Sequence, residues 1–139
     1  MEVTSITNGI IIDHVDAGTA LTVLRYIKVD PTKAKLALIM NATSHALGAK
    51  DIIKIEDVED LNLDALGFVA PHATINIVRG GEIVEKHKPG LPKHLVGVIT
   101  CKNPRCVTTT ERGLDQRFHL ASAERREYRC DYCDEAAER

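Results

Sequence analysis

All four cysteines of this 139-residue chain fall in two short stretches near its C-terminus, CKNPRC from Cys101 to Cys106 and CDYC from Cys130 to Cys133. The pattern C-x4-C, 23 intervening residues, C-x2-C puts two thiols at each of two tight loops. Such loops are knuckles that wrap one ion from two sides. No basic start followed by an apolar stretch opens MEVTSITNG, so a secretory leader is not expected, and a reducing cytoplasmic setting is. There, paired thiols hold a metal more often than a disulfide. Four thiolates select a soft tetrahedral ion, zinc before others, and four protein ligands leave no position for an activated water. One structural Zn2+ on Cys101, Cys106, Cys130 and Cys133 is therefore expected, with a thiol redox switch or buried free cysteines as the alternatives. Asn103 and Pro104 suit the turn of the first loop, and Lys102 and Arg105 bring positive charge beside a net-negative centre.

The stretch KHKPGLPKH, Lys86 to His94, breaks regular structure with two prolines and a glycine and reads as an exposed linker. It divides a domain of residues 1–88 from one of residues 89–139, and the second part has too few apolar residues to bury a core unaided. A bound metal would supply the missing stability. Residues 1–88 carry 9 Lys and Arg against 12 Asp and Glu, and residues 89–139 carry 9 against 8, so neither part is strongly basic. With two Phe, three Tyr and no Trp there are few platforms for stacking bases, which disfavours a general nucleic-acid binder. No apolar run reaches membrane-spanning length.

Periodicity in the first part alternates strands with helices. Gly9 to Val15 is a β-branched strand; Asp16 can cap a helix that puts Ala20, Leu21, Leu24 and Ile27 on one face, with Pro31 limiting its far end. Ala34 to Met40 and Lys50 to Asp57 read as two strands joined by a polar loop containing Asn41, Ser44, His45 and Gly48. A short helix around Leu61, Leu63 and Leu66 follows Asp60 and stops at Gly67. Ala73 to Lys86 forms a hairpin about Gly80 and Gly81. The expectation is an α+β fold: a five-stranded antiparallel sheet with two helices on one face, in the ferredoxin-like manner, followed by a small β-rich zinc domain.

Strand alternation puts Lys50, Ile52 and Lys54 on one face and Ile53 and Ile55 on the other. The two ammonium groups start roughly 13 Å apart, at about 3.3 Å per residue, so both can reach one extended polyanion, although lysines on a strand usually sit in solvent or guard an edge. Asp13 and His14 can hydrogen-bond a polar ligand, though a lone Asp-His pair is more often a capping feature. Asn76 can read a base edge or satisfy a neighbouring backbone group. His45, His72, His87, His94 and His119 show no metal-ligand spacing and receive no role. A Gly-rich phosphate loop, a nucleophile elbow and a paired-His hydrolase motif are absent from the sequence, which favours binding or regulation over catalysis.

Taken in order, IIDHV, GAKDIIKIE, APHATIN, KPGLP and the two Cys pairs resemble the regulatory chain of aspartate carbamoyltransferase along nearly the whole sequence. The cysteine pattern matches that family's zinc pattern without insertion or deletion. The resemblance implies a non-catalytic chain with an N-terminal domain that binds nucleoside triphosphates, CTP and ATP with UTP as a further candidate, and a C-terminal zinc domain that docks on the catalytic chain. It further implies regulatory dimers that bridge catalytic trimers in pyrimidine biosynthesis. Asp13 and His14 would face the base and ribose, with Val3 and Ile6 nearby. Lys50 and Lys54 fall at ribose and phosphate positions and Lys86 at a triphosphate position, while Asn76 and Ile83 also lie on effector-site positions. Asn103, Arg105 and Asp134 fall in segments that face the catalytic chain. Thr4 stands where enteric members carry an acidic residue and Gly81 where they carry an aromatic one, changes expected to bear on base discrimination. The ending DEAAER is expected to shorten the last strand of the zinc domain. The rivals are a zinc-ribbon nucleic-acid module using ERREYR, Glu124 to Arg129, and an independent nucleotide hydrolase.

Overall fold

The computed structural model describes residues 6–29, 32–44, 48–58 and 61–137. The chain divides into two compact units, Met1–Gly90 and Leu91–Arg139. The first contains β1 (Gly9–Asp16), α1 (Ala20–Tyr26), β2 (Leu36–Ser44), β3 (Gly48–Glu56), α2 (Leu63–Val69), β4 (Thr74–Arg79) and β5 (Glu82–His87). Its strands form one antiparallel sheet in the order β2-β3-β1-β4-β5. The predicted α+β architecture is what the structure shows.

One face of the sheet is covered. Ile10 and Ile12 of β1, Ile53 and Ile55 of β3 and Ile75 of β4 are buried there with Val23 and Leu24 of α1 and Leu66 and Phe68 of α2. Tyr26 meets Phe68 edge to face, with ring centroids 5.6 Å apart, and ties the two helices together. The buried residues of α1 and its C-cap, Ala20, Val23, Leu24 and Ile27, follow i, i+3, i+4, i+7 spacing, so Leu21, expected in the core, falls off the stripe and stays 59% exposed.

Several boundaries differ from the sequence expectation. Thr19, not Asp16, is the N-cap position of α1; the Asp16 carbonyl instead accepts the amide and hydroxyl of Thr19, at 3.1 and 2.6 Å. Gly67 does not stop α2 but lies buried within it. The helix begins at the Asn62 cap, whose side chain accepts from the Ala65 amide, and ends at Ala70, because the following Pro71 disfavours the helical conformation there. Asn41 and Ser44 belong to β2 and Gly48 to β3, so the polar loop is shorter than expected. Lys86 and His87 are part of β5, leaving 88–93 as the irregular stretch before β6. Pro31, His45 and Asp60 lie outside the described residues. The hairpin at Gly80 and Gly81 has the positive φ of a two-residue turn at both positions, 61° and 80°.

The second unit holds β6 (His94–Val96), α3 (Val107–Thr110), β7 (Arg117–Ser122) and β8 (Glu127–Cys130), with the strands in an antiparallel sheet ordered β6-β7-β8. Leu95, Ile99, Phe118 and Tyr128 make its buried apolar core together with Cys101, Cys106 and Cys130. The Tyr128 hydroxyl donates to the Pro92 carbonyl at 2.5 Å, which satisfies the polar end of a buried ring. So small a core is consistent with a unit that depends on metal. No helix among the described residues is long and apolar enough to cross a membrane.

Candidate functional site

The helices leave the other face of the first sheet open, and strand register builds a polar row across it. Ala37 pairs with Lys54, Lys54 with Ile11, Ile11 with Asn76, and Asn76 with Lys86. Directly opposed residues of an antiparallel pair point to the same face, so β3 and β5 bring Lys54 and Lys86 to this face on either side of Ile11 and Asn76. Three inter-strand spacings separate their backbones by about 14 Å, a gap that two lysine side chains leaning inward can close. Among the described residues neither lysine has a carboxylate within ion-pair distance. Ile83 lies on the same face in the adjoining row Gly9, Val78, Ile83. Ile6 lines a cleft of about 210 Å3 with Lys35, Leu36, Ala37, Lys54 and Glu56.

On the other side of the row, β1 bulges between Ile12 and Val15, and His14 takes φ 58. The Asp13 carboxylate accepts the His14 amide at 2.7 Å and the Lys50 ammonium at 3.0 and 3.2 Å. His14 Nδ1 lies 3.0 Å from Thr74 Oγ1. Lys50 therefore does not stand free beside Lys54: the face has a paired Asp13-Lys50 end and a Lys54-Lys86 end with no carboxylate partner among the described residues. Of the nucleotide candidates, Ile6, Asp13, His14, Lys50, Lys54, Asn76, Ile83 and Lys86 are gathered on or beside the open face, and Val3 lies outside the described residues.

The sequence reading missed Asp51. It is fully buried on the covered face, and its carboxylate accepts amides from Asn41 at 2.9 Å, Gly18 at 2.9 Å and Ala20 at 3.0 Å. Burial alone would raise its pKa, but the backbone amides outweigh it and hold the carboxyl below the ordinary value. The available signal was parity, because Asp51 shares the inward phase of Ile53 and Ile55 and thereby places a charge in an apolar stripe.

In the second unit the four Sγ atoms of Cys101, Cys106, Cys130 and Cys133 lie within 4.8 Å of one another, with Cys101 and Cys133 3.5 Å apart and Cys106 and Cys130 3.7 Å apart. A tetrahedral ion about 2.3 Å from each sulfur needs sulfurs about 3.8 Å apart, so the cluster fits a four-thiolate site. Two turns set it up. The Cys106 amide donates to the Asn103 carbonyl, and the Asp134 amide donates to the Cys130 carbonyl. Burial pushes the Cys101 thiol up to about 12 and raises Cys130, whereas the Thr108 hydroxyl beside Cys106 brings that thiol down to about 7.

Of the interface candidates, Asn103 has its side-chain oxygen occupied by the Arg105 amide at 3.0 Å. Arg105 and Asp134 are exposed. Asp134 lies beside Arg129 and His119, and His119 is bonded at 2.7 Å to Asp131, a role that its sequence spacing did not reveal.

A family model described as the aspartate carbamoyltransferase regulatory chain, allosteric domain, matches residues 1–90, and one described as its metal binding domain matches residues 93–139. This chain belongs to the aspartate carbamoyltransferase regulatory chains. It is 69% identical over 137 residues to the protein of that name from Bifidobacterium longum, covering 99% of both chains. It is 45% identical over 135 residues to the one from Clostridium botulinum, covering 97% of this chain and 92% of the relative. The counterpart from Clostridium tetani is 43% identical over 136 residues, covering 97% and 94%. The sheet with its open polar face is thus the allosteric domain of a regulatory chain, and the thiol cluster lies in its metal-binding domain.

Proposed function

We propose that the open sheet face binds a nucleoside triphosphate, CTP or ATP with UTP as a further candidate, and that the chain carries no chemistry of its own. The observation that supports this is the division of the face into two ends. Lys54 and Lys86, without carboxylate partners among the described residues, suit the concentrated charge of a triphosphate, for which lysines serve as point charges. The Asp13-Lys50 pair with His14 and Thr74 offers donors and acceptors to a ribose and base, with Asn76 adjoining them from the row between Lys54 and Lys86, and the Asp13 carboxylate disfavours phosphate at that end. Ile6 borders the site beside Lys54, and Val3 joins it in this reading by the family resemblance alone.

The metal centre, in this reading, holds one Zn2+ on Cys101, Cys106, Cys130 and Cys133. Zinc would neutralise the thiolates and cross-link the two knuckles, in keeping with a reducing cytoplasmic setting. The domain so held docks on the catalytic chain through surfaces that include Asn103, Arg105 and Asp134. Regulatory dimers then bridge catalytic trimers. Nucleotide acts by favouring one of two states of the assembly, and linkage makes the effect reciprocal: a nucleotide that weakens aspartate binding is itself bound more weakly when aspartate is present.

Calorimetric titration of the zinc-loaded chain with CTP and ATP tests the site, with the double variant Lys50→Ala, Lys54→Ala as control. Competitive binding that the variant loses is expected. Absence of binding by the intact chain would refute the nucleotide reading and leave a structural partner of the catalytic chain.

A further inference from the structure

β3 is flanked by a bulge on each side, one in β1 between Ile12 and Val15 and one in β2 between Ile39 and Ala42. Each contains a non-glycine residue in the left-handed region, His14 at φ 58 and Asn41 at φ 60. Such conformations persist only where the surroundings over-determine them, and they cluster at ligand sites. Asp51 stands between the two. Its Oδ1 takes the Asn41 amide from the β2 bulge, and its Oδ2 takes the Gly18 and Ala20 amides that follow β1. Val15, where β1 regains its register after the bulge, is directly opposite Asp51.

The β1 bulge is what presents Asp13 and His14, and Lys50, the residue preceding Asp51, faces the open side and pairs with Asp13. One buried carboxylate on the covered face therefore fixes the backbone under the whole Asp13-His14-Lys50 end. Lys54 and Lys86 lie away from both of these bulges, linked through Ile11 and Asn76, and the register shift nearest Lys86, between Ile77 and Val78 of β4, makes no hydrogen bond to Asp51.

We propose that Asp51 is a positioning residue for the nucleoside end of the effector site, holding Asp13, His14 and Lys50 in place from the opposite face while leaving the triphosphate end untouched. The inference rests on the nucleotide reading above and adds a division of labour to it. A carboxylate that merely stabilised the fold would weaken every ligand of the site in equal proportion, through the folded fraction. A positioning role separates the two ends.

The test compares CTP or ATP with inorganic tripolyphosphate as ligands of the zinc-loaded full chain and of Asp51→Asn. Nucleotide affinity should fall at least tenfold while tripolyphosphate affinity stays within twofold. Adding Lys50→Ala to Asp51→Asn should cost little more nucleotide affinity than Asp51→Asn alone. Equal loss of both ligands, or loss of neither, overturns the proposal. A second measurement needs no variant: in the intact chain, nucleotide should slow hydrogen exchange at the Gly18, Ala20 and Asn41 amides and tripolyphosphate should not. Amides that respond alike to both ligands overturn the proposal as well. An intact chain that binds tripolyphosphate but no nucleotide overturns the nucleotide reading itself, and Asp51 then remains only a buried acceptor for three backbone amides.

Discussion

Replacing Asp51 tests whether three backbone amides depend on one side chain. The carboxylate is fully buried and accepts from Asn41, Gly18 and Ala20. Hydrogen bonds to a charged acceptor contribute about 1.5–3 kcal/mol each, and a buried donor left unpaired costs about 1–3 kcal/mol. Asp51→Asn keeps one oxygen but turns an NH2 group toward amide donors at the other, so either the Asn41 bond or the Gly18 and Ala20 bonds are lost. The expected cost is about 2–4 kcal/mol, and a larger one for Asp51→Ala. Urea unfolding of the zinc-loaded chain, followed by far-ultraviolet circular dichroism from α1 and α2, should show the midpoint lowered by about 1–2 M for a domain of this size. The pH dependence has a definite sign. Because the folded-state pKa is depressed, this contribution is fully present above the unfolded value near about pH 4 and disappears as pH falls through the lower folded value. The stability difference between the native chain and Asp51→Asn should therefore shrink on acidification below about pH 4. A variant that unfolds at the same urea concentration as the native chain would show that the three amides do not depend on the Asp51 carboxylate.

Lys50→Ala and Lys54→Ala should both weaken nucleotide binding, yet only Lys50→Ala should lower thermal stability, by about 1 kcal/mol, because it leaves the Asp13 carboxylate without its partner; equal melting temperatures would contradict the pairing. Zinc uptake near neutral pH should release at least two protons, since burial keeps Cys101 and Cys130 protonated in the metal-free protein, and zinc affinity should fall as pH falls; calorimetry in buffers of different ionisation enthalpy counts the protons. Gly9→Ala should destabilise the first unit by several kcal/mol, on the order of the largest single-residue effects, because a Cβ at Gly9 would collide with the Ile55 carbonyl of the neighbouring strand; an unchanged urea midpoint would show that β1 and β3 yield there.

The thiol cluster was legible in the sequence because its four cysteines carry their own chemistry and sit in two local turns, so spacing alone brings them together. The sheet was legible for a similar reason: period-two burial in KDIIKIE sorts Lys50 and Lys54 from Ile53 and Ile55 before any partner strand is known. What escaped were features that depend on contacts distant in sequence. Asp16 looked like the cap of α1, but the Gly18 and Ala20 amides go to a carboxylate more than 30 residues away. The ion pair between Asp13 and Lys50 required the β1-β3 register, and Leu21 was misplaced because helical phase depends on where the first turn is anchored. Gly67 carried a stop signal that Pro71 delivered instead.

The most direct test of the account uses the assembly with the catalytic chain. Aspartate saturation should be measured with and without CTP and ATP, once with the native regulatory chain and once with Lys50→Ala, Lys54→Ala. A nucleotide-dependent shift of the saturation curve is expected with the native chain and none with the variant. A shift that survives in the variant, or a native assembly that does not respond, would contradict the nucleotide reading.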